Sequence, residues 1–211
     1  MAVPTRVAAA LTGATVGQLN CWRTGRGVYE PMFVPEFRDG REWLYSFRDL
    51  IALRTVVYLR ESVSLQKIRE ATRTLDRLGD ADHLSSYDLY ATDSSVVWVH
   101  PDGEHVDLVE EPGQQRVAVV MSDVFHAFRT EKGATILPFR KPYPNIEVDP
   151  ELRGGFPVVA RSRVPYDLVA GLVRDGVPPE AVSEIYPSVD ADGARDAVQM
   201  ADYVDRRSRA A

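Results

Sequence analysis

The sequence predicts a mainly helical α+β fold for this chain of 211 residues, and three observations predict it. Apolar residues recur at helical spacing in the first 78 residues and again after Pro165. Two Asp-Gly pairs, Asp39-Gly40 and Asp102-Gly103, each lie between β-rich arms, the signature of hairpins. Four prolines crowd residues 138–150, a density that resists helix and suits an extended segment.

The first third reads helix, turn, helix, hairpin, helix, helix. Pro4 and Thr5 open a short helix through about Leu11. Thr15 is a good N-cap for the next, with Gln18 at the capping-box position, and that helix ends near Arg23-Thr24-Gly25. The run "MFVPEFRDGREWLYSF" is a hairpin turned at Asp39-Gly40. Ser46 caps a helix that puts Phe47, Leu50, Ile51, Leu53, Val57 and Tyr58 near one face. A further helix carries Leu65, Ile68, Leu75 and Leu78 and stops at Gly79.

The middle third has a second hairpin, turned at Asp102-Gly103, then a strand and a short helix capped by Ser122. The last third is helical. Pro165 opens one helix, Pro178-Pro179 a second, and Asp190 or Asp192 caps a third, with Leu168, Leu172, Val173, Val182, Ile185, Tyr186, Val198 and Tyr203 as their shared apolar set. These divisions give residues 1–79, a β-hairpin-rich middle region 80–137, a Pro-rich linker 138–150 and a C-terminal three-helix domain 151–211.

Composition narrows the function. The single Cys21 excludes an internal disulfide and a Cys-cluster zinc site. No apolar run approaches the roughly 20 residues of a membrane span, and the expected location is the cytoplasm. Net charge is −6, but it is unevenly spread. Residues 1–78 hold twelve Lys and Arg against eight Asp and Glu, residues 79–150 five against thirteen, and residues 151–211 eight against ten. A basic N-terminal third on an acidic body fits a local contact with DNA.

Two short helices followed by a hairpin is the plan of a winged helix-turn-helix. Its second helix lies in the major groove and its hairpin follows the backbone. Leu19 and Trp22 face inward, leaving Gly17, Gln18, Asn20, Cys21 and Arg23 outward or sideways. Gln and Asn bond adenine bidentately, and Arg reaches guanine or phosphate. Arg26, Arg38 and Arg41 fall on the wing, where charge neutralises phosphate without reading sequence.

The stretch "ALTGATVGQLNCW", the wing with Gly40, Arg41 and Tyr45, and "YSFRDLIALRTVVYLRESVSLQKIREA" resemble the MerR-type DNA-binding domain over about residues 4–75. Gly17 and Asn20 stand where that family often has basic residues, and Trp43 where it has an Arg two residues before the wing tyrosine. The resemblance implies an operator-binding homodimer, although a helix stopping at Gly79 does not build the family's long coiled coil. The candidate DNA contacts are Thr15, Gln18, Asn20, Arg23, Arg26, Arg38, Arg41 and Tyr45.

Residues 145–203 are similar to the domain-of-unknown-function family numbered 433. Gly155, Pro157, Arg163, Val164, Pro165, Gly176, Tyr186 and Pro187 carry the match; Ser162 replaces a Thr and Ala160 a Gly. The resemblance implies a small helical domain with helix-turn-helix character, common in VapB-like antitoxins paired with PIN-type ribonuclease toxins. Arg161, Arg163, Arg206 and Arg207 are the candidate toxin contacts.

No catalytic constellation is legible: no nucleophile elbow, no phosphate-cradling loop, no metal-binding helix. His100 and His105 flank a hairpin turn and read as solvated. No metal, cofactor or enzymatic activity is expected. The leading expectation is an antitoxin that binds operator DNA to repress its own operon and neutralises a PIN-like toxin. The alternative is a MerR-like regulator that responds to a small ligand.

Overall fold

The computed structural model describes residues 2–25, 30–77, 88–91, 95–99, 105–109, 124–130 and 133–209. The observed class is α+β and mainly helical, as expected. The N-terminal part runs β1 (Val3–Pro4), α1 (Thr5–Thr12), α2 (Val16–Thr24), β2 (Phe37–Asp39), β3 (Glu42–Tyr45), α3 (Phe47–Leu59) and α4 (Leu65–Arg77). Both expected caps form. Thr15 accepts from the Gln18 N–H while the Gln18 side chain accepts from the Thr15 N–H, and Ser46 and Asp49 do the same for α3.

The hairpin forms with a turn shifted by one residue. Asp39 pairs with Glu42, so Gly40 and Arg41 are the turn residues, and Gly40 takes a φ of 55°. The strand β1 was not legible in the sequence. It adds to β3 through Val3 opposite Tyr45 and makes an antiparallel sheet ordered β1-β3-β2. Proline is tolerated there because β1 is an edge strand.

The middle part holds β4 (Asp88–Ala91), β5 (Val96–Val99) and β6 (His105–Asp107), an antiparallel sheet in chain order. The Asp102-Gly103 turn, His100, Gly79 and Ser122 lie outside the described residues. Short antiparallel pairs follow, β7 (Phe128–Arg129) with β8 (Thr135–Ile136) and β9 (Ile146–Glu147) with β10 (Val158–Val159). The last part is α5 (Tyr166–Arg174), α6 (Val182–Ile185) and α7 (Ala191–Arg209), with 3-10 turns at Arg153–Gly155 and Pro179–Ala181.

Among the described residues one apolar core runs from Val3 to Val204. It joins both ends of the chain because α7 packs on α1, whose small Ala8, Ala9 and Ala10 allow close approach. The Tyr203 hydroxyl reaches the carbonyl oxygens of Ala10 and Thr135. Residues 138–150, expected as an extended tether, are packed into this core: Phe139 and Ile146 are fully buried and Val148 nearly so. Their backbone is not left wanting, since Phe139 donates to Phe125 and Val148 to Arg140.

The expected apolar set of the last three helices is also corrected. Leu168 and Ile185 are each 50% exposed. The buried stripe of α5 is Tyr166, Val169 and Ala170, one helical face away from Leu168. At the centre of the N-terminal part, α3 is buried on nearly all sides, including Asp49 and Arg54.

Candidate nucleic-acid interface

The α1–α2 corner is made by Gly13, whose φ of 87° closes α1 and which donates to the Ala9 carbonyl. A side chain there would meet Ile136 at 2.9 Å and Val57 at 3.3 Å, so the corner is both left-handed and tightly covered. Two turns later, Leu19 and Trp22 anchor α2 from behind, each 2% exposed. The opposite face of α2 shows Gly17, Asn20 and Thr24 to solvent, with Gln18, Cys21 and Arg23 half-buried at its sides.

The candidate contacts divide into three groups. Thr15 and Gln18 are spent in the cap, each binding the other's backbone. Asn20 and Arg23 form a pair, with Arg23 Nη2 donating to Asn20 Oδ1 at 2.7 Å. On the wing, Arg41 is exposed at the turn and Arg38 is exposed on β2, its Nε donating to the Gly40 carbonyl at 3.0 Å. Arg26 lies outside the described residues. The wing is not uniformly basic, because Asp39 and Glu42 face each other across the hairpin.

Tyr45 is corrected. It is 1% exposed, packed in the core where β1 covers β3, and so does not reach a ligand outside. Burial raises its hydroxyl pKa, opposed by the nearby positive charge of Arg23.

The residue that sequence reading missed is Trp43. Its ring carries two guanidiniums, Arg23 at 5.1 Å from α2 and Arg38 at 5.0 Å from β2. Trp43 therefore joins α2 to the β2–β3 hairpin through two cation–π contacts, each worth about 0.5–1 kcal/mol at exposed sites. An aromatic flanked by arginines on a hairpin was the signal in the sequence, but which arginine stacks on it is decided in space.

The candidate toxin contacts are scattered. Arg161 is exposed, holds a φ of 60° and lies 4.0 Å from Asp190 Oδ2. Arg163 is exposed, and its carbonyl accepts from Arg153 Nε. Arg206 is exposed on α7. Arg207 is corrected: its Nη2 donates to the Gly13 carbonyl, so it is part of the fold. Beside Arg161 is a cleft of about 470 Å³ lined by Arg140, Lys141, Asn145, Glu147 and Asp149 among others. Among the described residues no cluster of His, Cys, Asp and Glu is arranged to hold a metal, and no helix is long and apolar enough to cross a membrane.

The segment from β9 to α7 matches the family described as "Protein of unknown function (DUF433)" over residues 146–201. Residues 146–201 are a DUF433 domain. Its β9–β10 pair, its bend at Arg161 and its three helices are thus one unit, closed by Asp196 of α7. That carboxylate accepts from both the backbone and the side chain of Asn145, at 2.8 and 3.0 Å. The DUF433 domain also touches the N-terminal part directly, at Gly155 against Phe47. No curated protein matches the chain. Rv2018 of Mycobacterium tuberculosis, known from an X-ray crystal structure, is similar at a TM-score of 0.54 and 17% identity, over 92% of this chain and 95% of its own. That likeness is one of fold and spans the N-terminal part as well as the DUF433 domain.

Proposed function

We propose that the chain is a DNA-binding regulator acting as the antitoxin of a type II pair, repressing its own operon and holding a PIN-like ribonuclease inactive. The observation that carries the DNA reading is the outer face of α2. A helix is about 10–12 Å across with its side chains, a fit to a major groove about 12 Å wide, and the nine residues of α2 supply about two and a half turns to lie in it. It is anchored from behind by Leu19 and Trp22 and flanked by Arg38 and Arg41 on the hairpin. Those arginines neutralise phosphate, and Asn20 reads a base. The homodimer belongs to this reading because a two-fold operator needs two such helices.

The antitoxin part rests on the resemblance of residues 145–203 and on the exposed cations Arg161, Arg163 and Arg206. A second reading, a ligand-responsive regulator, is favoured by the cleft beside Arg161.

DNA binding is tested with the double variant Arg38→Ala, Arg41→Ala. Its affinity should fall for every duplex, and its slope of log affinity against log salt should shrink by about 2. An unchanged slope sinks the wing assignment. Co-expression with the neighbouring reading frame separates the two regulators: a stoichiometric partner that arrests growth alone supports the antitoxin. An operator affinity that changes with a metabolite and needs no partner supports the sensor.

A further inference from the structure

If α2 is the helix that reads the groove, its own hydrogen bonds restrict what it reads. A guanidinium carries only donors. Because Arg23 Nη2 approaches the Asn20 side chain at 2.7 Å, the amide oxygen of Asn20 faces Arg23 and its nitrogen is turned away. Arg23 is itself held, half-buried, against the Trp43 ring that also takes Arg38. Asn20 is exposed at the centre of the outward face.

We infer that Asn20, its carbonyl oxygen turned toward Arg23, presents its N–H donors to the groove and reads guanine rather than adenine. The guanine edge presents N7 and O6, both acceptors, so an amide N–H can bond either one or bifurcate between them. Adenine presents one acceptor and one donor, and meeting both needs the oxygen and the nitrogen of the amide side by side on one base edge, whereas the oxygen here is directed at Arg23. Residue type alone points the other way, because a free Asn pairs with adenine. Arg23 is here a positioning residue and Trp43 supports it. The inference rests on the DNA-binding reading of α2.

The test is selection of binding sites from randomised duplexes with the full chain, followed by single base-pair substitutions in the selected site. The expected result is one guanine whose replacement by adenine weakens wild type about tenfold and leaves Asn20→Ala indifferent. Asn20→Asp keeps an acceptor toward Arg23 but removes the donors, so it also loses that guanine. Arg23→Leu frees the carbonyl and moves the preference at that position to adenine. Asn20→Asp sits at an exposed site, so it remains informative if Arg23→Leu fails to fold. Adenine at the Asn20-dependent position in wild type overturns the inference but leaves DNA binding intact. So does an Asn20→Ala loss spread evenly over all sequences, as a phosphate contact gives. Failure to retain any duplex in a salt-dependent way removes the DNA-binding reading and the inference together.

Discussion

Arg207 Nη2 donates to the Gly13 carbonyl at 2.6 Å, tying the last turns of α7 to the corner between α1 and α2. One turn earlier on the same helix, Tyr203 reaches the Ala10 carbonyl. Arg207→Met leaves that carbonyl without its charged donor and should cost about 1.5 kcal/mol. Chemical denaturation checks this, and the variant should still unfold in one transition because both ends of the chain share one core. Two separated transitions in the wild type would contradict the shared core.

Arg54 is the most demanding buried group. It is fully buried, and its guanidinium donates to the carbonyl oxygens of Leu11, Val124, His126 and Leu137. The rings of Phe128 and Phe139 lie 4.9 and 5.6 Å from it. Arg54→Leu orphans four carbonyls at once and should destabilise by about 3 kcal/mol or more. Arg54→Lys keeps the charge but not the fork, so it should recover only part. A leucine variant as stable as wild type in urea would refute this account.

Stability should fall above pH 10. Burial raises the hydroxyl pKa of Tyr45, Tyr143, Tyr166 and Tyr203 above their ordinary value near 10. Their contribution is complete below pH 10 and is lost as the unfolded phenols ionise first. Arg54 acts in the opposite sense. Burial lowers its pKa to about 10, so the cost of burying its charge eases as pH rises past that value. Four groups outweigh one, and the net slope is downward. Urea midpoints from pH 8 to pH 11 measure it, and Tyr166→Phe should flatten the fall. A level profile to pH 11 would show that the tyrosines ionise alike in both states.

Two glycines of the DUF433 domain should respond oppositely to alanine. Gly155 has a φ of 86°, and an added Cβ would lie 2.6 Å from Phe47 Cδ2. Gly155→Ala should therefore destabilise by about 2 kcal/mol or more, through backbone strain and through prising this domain off α3. Gly171 is inside α5 with nothing within 4 Å of an added Cβ, so Gly171→Ala should stabilise by about 0.5–1 kcal/mol. Thermal unfolding of the pair decides it; equal effects would contradict the packing.

The caps at Thr15 and Ser46, the starts of α5 and α7, and the inward pair Leu19 and Trp22 are legible in the sequence. Each depends on a few neighbouring residues and on the helical period, and local chemistry is enough. The same period says which residues share a face but not which face is covered. Leu168 and Ile185 remain half-exposed, while Asp49 and Arg54 are buried. Tyr45 and Arg207 look like surface contacts until β1 and Gly13 meet them from more than forty and more than 190 residues away. Residues 138–150 read as a tether because prolines exclude helix, yet extended chain can also lie across a core, and Phe139 and Ile146 hold it there. The Trp43 ring with Arg23 and Arg38 belongs to this second class as well. Spacing along the chain determines local conformation, and only tertiary packing decides which side chains remain free to meet a partner.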